Sequence, residues 1–368
     1  METMNRRVVV PGIVAALAAV GAATLYLLAD GTGSFGHSGL QASAPPSASI
    51  HTGLSTVKPG SPIPGAPTST PVPGIVLGAY IPGAPSDPSR IDAFATLTGG
   101  MPRIVMWYQM WAGPYNAFYA AGADAIRARG ATPMISWEPL DSYNDVDPAW
   151  SLETIIDGDH DPLIHEWTHD VAAWGQPLYV RVMHEMNGWW TPWSPGVNGN
   201  TEPEFVAAWR HVIDIARAEG ASNIRWIWCP NIDDGNPNLT PYDRLYPGDE
   251  YVDWVGLTGY NWGASQQWSK WIDMRSTFED SIAQIRAITA KPLMIAEMGS
   301  EEQGGDKGAW IAEGFSRLEK GLPDVKAVVW FDAFDARLGT HWEVDSSAGS
   351  LAAFSAVMAS PRFAGTLP

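Results

Sequence analysis

Two glutamates stand where short apolar runs stop. Glu185 lies in Arg181-Val-Met-His-Glu-Met-Asn-Gly-Trp-Trp190, after a histidine and ahead of two tryptophans, and Glu297 closes Leu293-Met-Ile-Ala-Glu297. A carboxyl group in apolar surroundings is costly unless it is paired or used. Two of them at one mouth suit a joint task, in which one carboxylic acid protonates a leaving oxygen while the other carboxylate attacks the carbon it leaves. Cleavage of a glycosidic bond divides the labour in this way. The chain also holds 19 tryptophans, more flat amphipathic rings than a core readily absorbs and well shaped for stacking on sugars.

The neighbours of these acids each carry a plainer alternative. An isolated buried histidine is usually satisfied by a backbone carbonyl, but His184 beside Glu185 reads as part of the site. A zinc centre is disfavoured, because no HExxH occurs and no second histidine lies at helical or strand spacing from His184. No metal and no cofactor is expected. Arg181 shares strand parity with Glu185, so both should face inward, with Glu297 or another acid as the partner of the arginine. Trp189 and Trp193 read as substrate platforms and Glu138 as a structural hydrogen-bonding group. The segment Asp233-Asp-Gly-Asn-Pro-Asn238 reads as turns and lacks the spacing of an EF-hand loop.

Eight short apolar runs could position these groups: Ile75–Tyr80, Arg103–Tyr108, Thr132–Trp137, Leu178–His184, Ile224–Pro230, Val252–Tyr260, Pro292–Glu297 and Lys326–Phe331. Amphipathic helical patterns lie between them, at Ser89–Leu97, Ala117–Arg129, Glu202–Glu219, Phe278–Thr289, Lys307–Lys320 and Leu351–Met358. This alternation predicts an α/β fold, a (β/α)8 TIM barrel, with its site at the C-terminal ends of the strands. The rival open doubly wound sheet would want a GxGxxG turn after the first strand, and Gly78-Ala-Tyr-Ile-Pro-Gly83 lacks that spacing.

Taken as a set, the motifs RVMHEMNGWWTPWS, VGLTGYNWG, MISWEP and LMIAEMGS resemble glycoside hydrolase family 26, the β-mannanase and lichenase family, over essentially Gly74 to the C-terminus. The resemblance implies a retaining endo-β-glycanase with Glu185 as acid/base and Glu297 as nucleophile. It further implies that His184 positions the nucleophile or the sugar and that Tyr260 hydrogen-bonds the nucleophile. Trp190 and Trp137 would line the cleaved subsite, Trp330 would form its floor, and Asn231, at the end of the fifth strand, would contact substrate. β-1,4-Mannan is the first expectation. One departure brings mixed-linkage β-glucan close behind: the mannanases carry a histidine near the end of strand two, and this chain has none between His51 and His160. A barrel that keeps its aromatic groove but has lost turnover would show a replaced glutamate, and both are present.

Composition narrows the setting. A formal charge of −18 disfavours nucleic acid, whose binding relies on clustered Lys and Arg. A neutral polysaccharide is the expected partner, with the chain a monomer. Cys229 is the only cysteine, which excludes intrachain disulfides, and it reads as a buried strand residue. Residues 1–29 read as a signal peptide or signal anchor, with Arg6 and Arg7 ahead of an apolar run. Residues 30–73 read as a Pro/Ser/Gly linker. The catalytic domain, 74–368, is therefore expected outside the cell, secreted or tethered to the outer face of the membrane.

Overall fold

The computed structural model describes residues 74–367, apart from 115 and 143–146. The expected signal and linker segments lie outside the described residues. Among the described residues no helix is long and apolar enough to cross a membrane.

Eight strands close a parallel barrel in sequence order: β1 (Val76–Tyr80), β2 (Ile104–Met110), β3 (Thr132–Glu138), β4 (Leu178–Val182), β5 (Ile224–Trp228), β6 (Trp254–Asn261), β7 (Leu293–Ser300) and β8 (Val325–Phe331). Helices α1 (Ser89–Thr98) and α2 (Ala120–Arg127) follow the first two strands. A short α3 (Leu152–Ile156) and a long α4 (Asp161–Trp174) follow β3, and α5 (Glu202–Ala218) follows β4. After β6, β7 and β8 come α6 (Met274–Arg286), α7 (Lys307–Gly321) and α8 (Ala348–Met358). Two expectations change. The sequence reading did not mark α4. Between β5 and β6 the described chain forms only the single 3-10 turns Tyr242–Arg244 and Asp249–Tyr251, because Asp233-Asp-Gly-Asn-Pro-Asn238 and the prolines that follow punctuate the segment with turns. The carboxylates of Asp233 and Asp234 accept from the backbone N–H groups of Gly235 and Asn236.

Parallel strands buried on both faces need two apolar sets, and the barrel has them. Ile104, Met106, Met134, Tyr179, Ile227 and Met294 fill the interior, while Val105, Ile135, Val180, Val255, Ile295 and Val328 face the helices. Helix α5 is fixed at its entry by a capping box between Thr201 and Glu204.

Two local departures from ideal strand geometry aim the acids. The register of β7 slips between Ile295 and Glu297 against β6, and again between Ile295 and Met298 against β8. Ala296 belongs to the interior set and Met298 to the outer one, so the bulge turns Glu297 inward directly after Ala296, as bulges beside active sites do. Strand β4 ends at Val182, two residues before the expected His184. Met183 and Glu185 then take positive φ values of 47° and 55°, which non-glycine residues adopt at a cost that clusters at functional sites. Simple alternation along a strand to residue 184 is therefore not what brings Glu185 inward; the left-handed turn does, held by the Glu185 N–H donating to the Cys229 carbonyl at 2.7 Å.

Candidate active site

Glu297 is buried and receives three donors. Arg181 and Tyr108 donate to its Oε2, and Tyr260 donates to its Oε1. The guanidinium is itself tied down: Nε donates to Ser136 Oγ, Nη1 to Thr258 Oγ1 at 3.3 Å and Nη2 to Tyr108 OH at 3.1 Å. Burial opposes the charge of Arg181, yet the carboxylate of Glu297 beside it holds the guanidinium well above its usual value, so it stays charged. Burial, then the charge of Glu297, raises both Tyr108 and Tyr260 well above the usual tyrosine range. Both hydroxyls keep their protons and act as donors.

Glu185 is also fully buried but has no cation bound to it. Trp190 Nε1 donates to its Oε2 at 2.7 Å and Asn231 Nδ2 to its Oε1 at 3.1 Å. Burial first, and the charge of Glu297 second, push its carboxyl up to about 7, against the pull of Trp190, Arg181 and Asn231. Asn231 is set by Asn187 in a reciprocal pair: its N–H donates to Asn187 Oδ1 at 2.8 Å and its carbonyl accepts from Asn187 Nδ2 at 3.0 Å. The mouth thus places the Glu297 carboxyl among an arginine and two tyrosines and the Glu185 carboxyl between two neutral donors.

His184 is buried, with its ring 5.9 Å from those of Tyr108 and Trp193. Burial and the charge of Arg181 hold its imidazole well below the usual value, so it is neutral at pH 7. Its Nδ1 lies 3.6 Å from Glu138 Oε1. Trp189 and Trp190 meet edge to face at 5.0 Å and remain half-buried at the mouth.

Three tryptophans sit elsewhere than expected. Trp137 faces the helical layer, stacked at 4.1 Å on Trp167 of α4, because its position in β3 has outward parity. Trp330 likewise points toward α7 and α8, with Phe354 at 5.4 Å and Trp310 at 6.2 Å. Trp193 is fully buried and spends its N–H on the His184 carbonyl at 2.7 Å, which makes it a support for the turn and leaves no face for a platform. The ring that approaches the mouth from the β8 side is Trp342, 4.6 Å from Tyr260 and 4.8 Å from Trp262. It lies in a loop, where strand parity gives no signal. Trp330 holds it indirectly, donating Nε1 to the Trp342 carbonyl at 2.8 Å.

The other residue missed is Tyr108. The end of strand two, which lacks a histidine, carries Tyr108 and Gln109. Gln109 turns away and bonds the carbonyls of Asn116 and Ala117 at 3.2 and 2.7 Å, whereas Tyr108 has the inward parity of Ile104 and Met106. Cys229 is buried and free. Among the described residues no group of three or more His, Cys, Asp or Glu side chains could hold a metal ion.

The closed parallel barrel thus holds two buried glutamates at its mouth, Glu185 just beyond β4 and Glu297 in the C-terminal half of β7. The chain belongs to glycosyl hydrolase family 26, whose model matches residues 137–303. It is 37% identical over 284 residues, 76% of this chain and 30% of the relative, to Endoglucanase H of Acetivibrio thermocellus. A mannan endo-1,4-beta-mannosidase of Bifidobacterium adolescentis is 27% identical over 34% of this chain and 11% of its own length. The chain thus spans less than a third of the length of these curated relatives. Among solved structures, a family 26 β-mannanase from Bacteroides ovatus superposes with a TM-score of 0.55 at 21% identity, covering 78% of this chain and 89% of that one, a likeness of fold.

Proposed function

We propose that the chain is a retaining endo-β-glycanase in which Glu297 is the nucleophile and Glu185 the acid/base. The observation that carries this reading is the contrast between the two carboxyls: Glu297 receives Arg181, Tyr108 and Tyr260, while burial and Glu297 together keep a proton on Glu185 up to about pH 7. In the first step a Glu297 oxygen forms a bond to the anomeric carbon as the glycosidic C–O bond breaks, and the Glu185 proton passes to the leaving oxygen. In the second, Glu185, now a carboxylate, takes a proton from water as that water displaces Glu297 and restores both groups.

For the polymer, two observations favour a β-glucan over the β-1,4-mannan expected first. Strand two presents Tyr108, bound to the nucleophile, where a histidine was sought. The relative matched over 76% of this chain is named an endoglucanase, whereas the mannosidase match covers 34%. Mannose and glucose differ in the orientation of one hydroxyl, and a site built for one leaves a polar group unpaired with the other. Reducing-end release from barley β-glucan, mannan, glucomannan, cellulose and xylan tests the proposal. Preference for β-glucan supports it, preference for mannan reverses the choice of polymer, and no release from any overturns the activity.

A further inference from the structure

The stretch between β6 and α6, Asn261-Trp-Gly-Ala-Ser-Gln-Gln-Trp268, is not used by the two glutamates. Trp268 is 48% exposed and is the most exposed of the large hydrophobic side chains among the described residues. A single exposed apolar residue needs no explanation, but Trp268 is not isolated. Its ring lies 5.3 Å from that of Trp262, which lies 5.8 Å from Tyr260, the donor to Glu297. Each step is comparable to one sugar ring along a β-linked chain, and the three tilted rings touch in succession from the donor to the nucleophile out to the exposed Trp268.

The loop that carries this line is anchored. Asn261 Oδ1 accepts from the N–H groups of Gly263 at 3.3 Å and Ile272 at 3.0 Å, and Ala264 N–H donates to the Gln303 carbonyl at 2.7 Å. Gly263 has φ of 53°, and a Cβ there would lie 2.0 Å from the Gln303 carbonyl oxygen, so only glycine lets the loop lie this close to the β7–α7 segment. Gln266 Nε2 reaches across to the Leu338 carbonyl at 3.4 Å. A large ring held out at the rim on an anchored loop costs little conformational entropy when it binds a ligand.

We propose that Trp268, with Trp262 behind it, is an outer sugar platform that receives a pyranose face of a long β-linked chain, beyond the sugars flanking the scissile bond. This rests on the polysaccharide reading above and adds a place where chain length is felt. Binding energy from such a remote contact is realised as turnover of long substrates, and a substrate too short to reach it forgoes the gain.

The test compares wild type, Trp268→Ala and Trp268→Phe on β-glucan polymer and on an aryl bioside too short to reach the rim. Trp268→Ala should lose about tenfold in kcat/KM on polymer, Trp268→Phe should recover most of it, and all three should match on the bioside. Equal activity of wild type and Trp268→Ala on polymer overturns the platform, as does an equal loss on both substrates, which would mark a loop-holding role. If wild type cleaves neither substrate, the activity reading fails by itself; retardation of wild type but not of Trp268→Ala in a β-glucan gel would still support the platform, and equal migration would overturn it.

Discussion

Arg181 and Glu297 form a fully buried ion pair inside the barrel, with side-chain exposures of 0% and 1%. Such pairs contribute modest net stability, but removing one partner strands the other charge. Arg181→Met should therefore destabilise the fold by about 3–5 kcal/mol and abolish turnover. The double variant Arg181→Met with Glu297→Gln should recover much of the stability and none of the activity. Urea unfolding of Arg181→Met, Glu297→Gln and the double variant reads this, and strict additivity of the two single changes would contradict the pairing.

The alkaline limb of kcat/KM should report Glu185. Its carboxyl is raised to about 7, so the acid form is progressively lost as pH rises through that value, and activity should fall there. Glu185→Gln should remove the limb and lower turnover by roughly 10²–10⁴ on unactivated glycosides, with far less effect where the leaving group departs without a proton. An intact limb in Glu185→Gln would assign it to another group.

The same shift has a consequence for stability. Glu185 and Asp332 are both raised to about 7, each chiefly by burial, from ordinary values of 4.5 and 3.8. Between those values and pH 7 the folded chain holds protons that the unfolded chain has released, so these two groups make stability fall as pH rises across that window. Replacing both with amides, Glu185→Gln and Asp332→Asn, should flatten this part of the profile of unfolding free energy against pH. A slope as steep as that of wild type would contradict the burial account.

Lys307 opens α7 and is buried, with Nζ donating to the carbonyls of His341 at 2.9 Å and Glu343 at 2.7 Å and to Ser346 Oγ at 2.8 Å. It ties down the loop that carries Trp342. Lys307→Met leaves two carbonyls and a hydroxyl without their donor and should cost about 1–3 kcal/mol. Because the loss loosens the ring beside Tyr260, KM should rise more than kcat falls. An unchanged melting temperature and KM would show that the loop is held by its other contacts.

The barrel was legible because its strands are short apolar runs separated by capped helices, and both acids were legible because they interrupt apolar runs. Tyr260 and Arg181 both reach Glu297, where the sequence left the partner of Arg181 open between Glu297 and another acid. What the sequence concealed follows from geometry that leaves no pattern in composition. A one-residue bulge at Ala296–Glu297 and two positive φ values around His184 break the alternation on which inward and outward were judged, although Glu185 and Arg181 both face inward. Trp137 and Trp330 were placed by motif, and their parity sends them to the helical layer. Trp342 and Trp268 lie in loops, where neither period applies. The polar ladder Tyr108, Ser136 and Arg181 runs in register across the neighbouring strands β2, β3 and β4, and it is the closed barrel that brings it to Thr258 on β6 and Glu297 on β7.

The central claim is that Glu297 forms a covalent bond to the sugar. A β-glycoside carrying fluorine beside the anomeric carbon and an activated leaving group slows the second step more than the first, so the glycosyl-enzyme should accumulate. Peptide mass spectrometry of the trapped protein should find the sugar on Glu297, with one leaving group released per chain. A label on Glu185, or steady cleavage with no covalent adduct, would contradict the account.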